Sequence, residues 1–265
     1  MREGLQNLAM AMVDLVMAVI PRRLPDESVL RNCKIISHRV EHDNRTVLEN
    51  TLTAFANARA AGVWGIECDI RFTADDVPVI CHDPDTRRVF GRELTVAEVD
   101  FASLRKALPE IPTLGEVVAQ FGGQTHLMLE LKSLEKGRLQ QQSEALRREL
   151  ATLEPVRDYH ILSLQEDLFP LADFAGPEAM LPVAQTNTRA FSELALERGY
   201  SGLAGHYLMV NSRLQARHQA AGQRVGTGFP RSRRCLYREL NRGVDWIFTN
   251  DAVYLQSLLP PAVGD

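Results

Sequence analysis

The chain has 265 residues, 45% of them apolar, and 30 Lys and Arg against 34 Asp and Glu give a net charge of −4. That length buries one large core, sized for a single α/β barrel or two smaller domains, and the absence of a basic run argues against a nucleic-acid partner. Four scattered cysteines (Cys33, Cys68, Cys81, Cys235), with no C-x-x-C pair, form no disulfide framework and fit a reducing, cytoplasmic setting.

At the amino terminus, Leu5, Leu8, Met12, Leu15, Val16 and Val19 recur at helical spacing until Pro21. Asp14 interrupts this run, which is too short to cross a bilayer, and no A-x-A cleavage site follows. Residues 1–30 are therefore expected as an amphipathic helix packed on the domain. Peripheral contact with a membrane surface through residues 5–20 is the second reading. Residues 31–265 are expected as one domain.

Beyond Cys33 short apolar runs alternate with helical patterns, the rhythm of βα units around a parallel sheet. In chain order, strands are expected at Lys34–Ser37, Gly65–Phe72, Val77–Cys81, Thr125–Leu131, Tyr159–Ser163, Met180–Ala184, Gly202–Ala204, Arg224–Thr227 and Asp245–Phe248. Helices are expected at Thr51–Ala61, Leu114–Phe121, Arg138–Leu153, Ala190–Arg198, Ser212–Ala221 and Arg231–Asn241, several stopped by a glycine. Nine strands are one too many for an eightfold barrel. Only Thr73-Ala74-Asp75-Asp76 separates the second from the third, whereas a parallel neighbour needs a crossover of about a dozen residues. Val77–Cys81 should return antiparallel as a hairpin beyond the rim. The expected fold is thus a TIM-type (β/α)8 barrel with a β-hairpin excursion after its second strand, and folding about Asp75 returns His82 to the level of Glu67 and Asp69.

Glu67 and Asp69 stand two apart in an apolar strand, so both carboxylates point to one face and repel unless a cation lies between them. A hard divalent ion with oxygen ligands answers that charge. Polar residues gather at other strand ends as well, with His38-Arg39 after the first and Glu130 with Lys132 at the third parallel one. Strand carboxyl ends are where such barrels place their active sites.

The ordered set His38-Arg39, Glu49-Asn50-Thr51, Glu67-x-Asp69, His82-Asp83, Pro112-Thr113-Leu114 and Glu130-Leu131-Lys132 resembles the glycerophosphodiester phosphodiesterase family. The match is strong from Ile35 to Lys132 and elsewhere rests on strand–helix rhythm and the terminal Gly243–Thr249. The resemblance implies Glu67, Asp69 and Glu130 as ligands of one Mg²⁺ or Ca²⁺, and His38 and His82 as an acid–base pair. It implies Arg39 and Lys132 on the phosphate of a glycerophosphodiester, which would yield an alcohol and glycerol 3-phosphate. Glu49 and Asn50 would orient Arg39 or the metal ligands, although Asn50 also reads as a helix cap. His206 and Tyr207, at the end of the sixth barrel strand, would line the substrate pocket.

Two departures stand out. Val40 replaces the glycine that usually follows His-Arg, and because a β-branched residue resists positive φ, this loop is expected to run differently. Gly226-Thr227-Gly228-Phe229-Pro230 replaces an aromatic followed by Thr-Val-Asn, a change that touches the alcohol pocket. The segment between Asp83 and Leu129 is short, with little room for a separate insertion. Two alternatives remain open: phospholipase D-like cleavage of lysophospholipids, and a phosphate-binding barrel without turnover. The sequence sets no oligomeric state.

Overall fold

The computed structural model describes residues 13 and 15–261; Leu5, Leu8 and Met12 lie outside them. Among the described residues nine strands form one sheet: β1 (Ile35–Ser37), β2 (Gly65–Phe72), β3 (Pro78–Ile80), β4 (His126–Leu131), β5 (Tyr159–Ser163), β6 (Met180–Ala184), β7 (Gly202–His206), β8 (Arg224–Gly228) and β9 (Trp246–Thr249). β1 pairs in parallel with both β9 and β2, which closes a barrel of eight parallel strands. β3 alone is antiparallel, pairing Ile80 with Ile70 and Pro78 with Phe72. The hairpin and the eight-strand count follow the sequence expectation.

Alternation along each strand divides the core into two layers. Ile36, Met128, Leu162, Leu181, Ala204, Trp246 and Phe248 fill the barrel. Their sequence neighbours Ile35, Leu127, Leu129, Ile161 and Ile247 face the helices, where Phe55, Val117 and Leu236 cover them. Gly226 is needed inside, since a Cβ there would lie 2.8 Å from the Phe248 ring.

Helix starts are chemically marked. Thr51 accepts from the Ala54 N–H and caps Leu52–Ala60, while Thr113 and Glu116 close a capping box on Leu114–Phe121. Short helices Glu27–Arg31, Phe101–Ala107 and Ala252–Gln256, and the 3₁₀ stretch Glu166–Ala175, carry no helical pattern long enough to read from sequence. The segment after β3 also holds more than expected. Val79, Cys81, Val96, Leu104, Leu108 and Ile111 bury one another in a separate small cluster beside the barrel. Residues 15–19 are helical, with Leu15, Val16 and Val19 exposed, and the adjoining chain meets the barrel where Asn241 Nδ2 donates to the Arg23 carbonyl at 2.8 Å. Among the described residues no helix is long and apolar enough to cross a membrane. All four cysteines are free, and Cys68 and Cys81 are buried.

Candidate active site

Strand parity places the charged residues. Glu67 and Asp69 occupy inward positions on β2, and the β2–β4 register sets Asp69 opposite Glu130. The three carboxylates are buried, with ligand oxygens all within 4.8 Å of one another. Lys132 Nζ lies 2.5 Å from Glu130 Oε1 and 2.9 Å from Asp69 Oδ1, the latter an ion pair without hydrogen-bond alignment. Glu67 Oε2 accepts from the Arg39 backbone N–H at 2.7 Å, but its Oε1 is buried without a partner.

One ammonium among three buried carboxylates leaves the charge unbalanced. Burial, then Asp69 and Glu130, hold the Glu67 carboxyl well above its ordinary range, and burial pushes Glu130 up to about 7. Burial would raise Asp69 too, but Lys132, His82, Arg39 and the Asn50 amide outweigh it and hold that group low. An all-oxygen donor set with an orphaned buried oxygen and excess negative charge fits a hard divalent cation.

The histidines approach from two sides. His38 follows β1; its Nδ1 meets Asn250 Oδ1 at 2.6 Å and its Nε2 lies 3.8 Å from Glu67 Oε2. An amide oxygen only accepts, so Nδ1 carries the His38 proton. His82 follows β3, returned by the hairpin as expected. Arg39 Nη2 donates to His82 Nε2 at 2.6 Å, which requires that nitrogen to be unprotonated, and His82 Nδ1 donates to Asp83 Oδ1 at 2.6 Å. Burial, with Arg39 second, lowers His38 to about 4, and burial also lowers His82.

The remaining expected residues divide. Asn50 Nδ2 donates to Asp69 Oδ2 at 2.8 Å, and the helix cap is Thr51, so Asn50 serves the carboxylate cluster. Glu49 is buried, 3.8 Å from Arg39 Nη1, and accepts from Asn44 and Arg88. His206 is partly exposed, its ring 4.4 Å from that of Tyr207. Tyr207 is fully buried beneath the Arg238 guanidinium, which places it in the packing behind the strand end.

Val40 corrects an expectation. It adopts φ +70°, and Arg39 before it +52°, so the loop keeps the left-handed turn that glycine would take. The Arg39 N–H bond to Glu67, the Asn50 N–H bond to the Arg39 carbonyl at 3.3 Å, and burial of the Val40 side chain hold it there. Two site residues escaped the sequence reading. Asn250 directly follows β9, so the strand-end rule contained its signal; Arg88 lies in the excursion after β3, where no periodicity foretold its position.

A comparison with protein families matches residues 38–253 to the glycerophosphoryl diester phosphodiesterase family. Among curated proteins, the chain is 35% identical to glycerophosphodiester phosphodiesterase 1 of Bos taurus over 85 residues, 27% of this chain and 26% of that protein. It is 33% identical to a glycerophosphodiester phosphodiesterase of Caldanaerobacter subterraneus over 111 residues, 37% of this chain and 45% of that one. The match therefore spans less than half the length of either relative. Among solved structures, a phosphodiesterase of Oleispira antarctica in complex with the product sn-glycerol-3-phosphate superposes with TM-score 0.72 at 24% identity, covering 84% of this chain and 95% of that one. The glycerophosphodiester phosphodiesterase of Thermotoga maritima superposes with TM-score 0.71 at 21% identity, covering 85% and 98%. These likenesses show the barrel fold.

Proposed function

This chain belongs to the glycerophosphoryl diester phosphodiesterase family, and from that premise we propose that it hydrolyses glycerophosphodiesters to an alcohol and glycerol 3-phosphate. The observation that carries the reading is the meeting of three buried carboxylates and two imidazoles at one barrel mouth. A phosphate-binding barrel without turnover needs no proton-transfer pair, and the two imidazoles beside the carboxylates support turnover instead.

A phosphodiester resists attack because its charge repels nucleophiles and its leaving group is a poor alkoxide. Glu67, Asp69 and Glu130 would hold one Mg²⁺ or Ca²⁺, which supplies charge neutralisation and polarisation of a phosphate oxygen. Arg39 and Lys132 add cationic contacts for the phosphate, the first as a fork and the second as a point charge. His82 is suited to accept a proton: its Nε2 is unprotonated, accepting from Arg39 until that guanidinium turns to the phosphate, and Asp83 stands behind Nδ1 to stabilise the imidazolium. His38, its Nδ1 proton fixed on Asn250, would serve the second transfer through Nε2, which must take up a proton from solvent or substrate before giving it to the leaving oxygen. Direct attack by water, or by a neighbouring substrate hydroxyl to give a cyclic phosphate, uses the same groups. His206 would line the alcohol side, with Tyr207 supporting it from behind, and Phe229, 4.6 Å from the His38 ring, narrows that side.

Residues 31–265 would form the single catalytic domain. The exposed Leu15, Val16, Val19 and Leu24 favour a second reading, in which residues 5–20 rest on a membrane surface from the cytoplasmic side and the substrate is a lysophospholipid. A substrate panel after chelation and add-back of Mg²⁺, Ca²⁺ or Mn²⁺ tests both readings. Metal-dependent release of glycerol 3-phosphate from glycerophosphocholine supports the first. Preference for lysophospholipids, lost on deleting residues 1–20, would replace it with the second, and absence of turnover with every metal would defeat both.

A further inference from the structure

After β3 the chain leaves the barrel and folds back over its rim, and one side chain of this excursion reaches the site. Arg88 Nε donates to Asp83 Oδ2 at 2.5 Å, while Nη1 and Nη2 donate to Glu49 Oε2 and Oε1 at 3.0 and 2.6 Å. Its two carboxylate partners come from different loops, one after β1 and one after β3. Each then acts on the site. Asp83 Oδ1 accepts from His82 Nδ1, and Glu49 faces Arg39, whose Nη2 donates to His82 Nε2. Both nitrogens of the His82 ring are thus reached from Arg88 through a single intermediate carboxylate or through Glu49 and Arg39.

We propose that Arg88 is a positioning residue that fixes the orientation and tautomer of His82 from both sides. The inference rests on the reading that His82 carries a proton in the reaction. A planar guanidinium can bond a bidentate Glu49 and a third carboxylate oxygen at once; an ammonium cannot reproduce that fork. Glu49 is 3% exposed and needs a cation. With Arg88 gone, the nearest guanidinium is Arg39 at 3.8 Å, and closing that gap draws Arg39 away from His82. Asp83 simultaneously loses its anchor and the imidazole loses a fixed acceptor on Nδ1.

The test compares wild type, Arg88→Ala, Arg88→Lys and His82→Ala, each confirmed folded by circular dichroism. Hydrolysis kinetics and ¹⁵N NMR of the histidine rings are recorded for each. Arg88→Ala is expected to lower kcat about 10- to 100-fold with a smaller change in KM, and to shift the His82 ring from its Nδ1–H form toward mixed tautomers. The Arg88 side chain is 45% exposed, so added guanidinium can reach the vacated place and should restore part of the activity. Arg88→Lys should be impaired without such rescue. If Arg88→Ala does not fold, Arg88→Gln takes its place with the same readouts. Full kcat in folded Arg88→Ala beside an inactive His82→Ala would overturn the role of Arg88 alone, as would unchanged His82 ring shifts. Full turnover in His82→Ala would overturn the proposed chemistry and this inference together.

Discussion

At the amino-terminal end of the barrel strands, His126 and His160 lie side by side, Nε2 to Nδ1 at 2.7 Å; at the carboxyl-terminal end, His38 and His82 flank the carboxylates. The floor pair is buried and the mouth pair partly exposed, yet burial lowers all four. Their partners differ. His126 donates from Nδ1 to the Arg157 carbonyl at 3.0 Å, stacks 4.4 Å from Trp64, and leaves His160 facing the edge of Trp246 at 5.0 Å. Lys34 and Arg224 lie over the two tryptophan rings, 4.8 and 5.5 Å from their centres. The floor pair is closed by aromatic rings and cations, and among the described residues no carboxylate is hydrogen-bonded to either imidazole. At the mouth, His82 is bonded to a carboxylate and His38 stands near another. A lowered pKa alone therefore does not mark a working histidine; the charged groups around it do.

Mutations at the mouth should separate activity from stability most sharply. Glu67→Gln removes one ligand and one of three repelling charges while keeping size. Turnover is expected to fall at least about 1,000-fold, as for loss of a principal electrostatic group in a buried site. In chelator, thermal unfolding should occur at the same temperature or higher, because a buried charge has gone. Comparing kcat with Tm, with and without metal, checks both parts, and residual activity above about a tenth would break the assignment. His82→Ala comes next, at about 100- to 10,000-fold in kcat, the range for losing a proton carrier.

At the floor the order reverses: stability and its pH dependence should change while chemistry does not. His126 and His160 titrate near 4 and 3 in the fold because burial opposes their charged forms, against about 6.5 in the unfolded chain. Below pH 6.5 the unfolded chain takes up protons that the fold refuses. Stability is therefore full above that value and falls as pH drops toward 4, by up to about 1.4 kcal/mol per pH unit for each histidine. His160→Met removes one of the two. Denaturant unfolding at pH 7 and pH 5 should show a loss smaller than wild type by about 2 kcal/mol, with kcat per folded molecule unchanged at pH 7. An identical loss in both proteins would mean that His160 is charged in the fold.

The mouth was largely readable and the floor was not, for a physical reason. Glu67-x-Asp69, the hairpin return to His82 and the strand-end positions of His38 and Glu130 follow from two-residue periodicity and the length of one loop. His126 and His160 sit at the starts of β4 and β5 and meet only because the barrel curves and its register aligns Met128 with His160. No spacing rule foretells that contact. Arg88 was hidden similarly, since its partners come from two loops whose approach depends on the closed barrel.

The smallest effect is expected at Val40, where two opposing energies nearly cancel. A β-branched residue at φ +70° costs about 1–2 kcal/mol relative to glycine. Against that, the Val40 side chain is 2% exposed, and losing its burial costs about 1.5–3 kcal/mol, with a further fraction from glycine's greater freedom in the unfolded chain. Val40→Gly should thus destabilise by only about 1 kcal/mol, and kcat should stay within about threefold, because the Arg39 and Asn50 hydrogen bonds still set the turn. Denaturation midpoints and steady-state kinetics measured together decide the point. A loss of activity beyond about tenfold, in a variant that remains folded, would mean that the valine side chain positions Arg39 and His38 and that packing, rather than the backbone bond to Glu67, aims the first strand's end at the carboxylates.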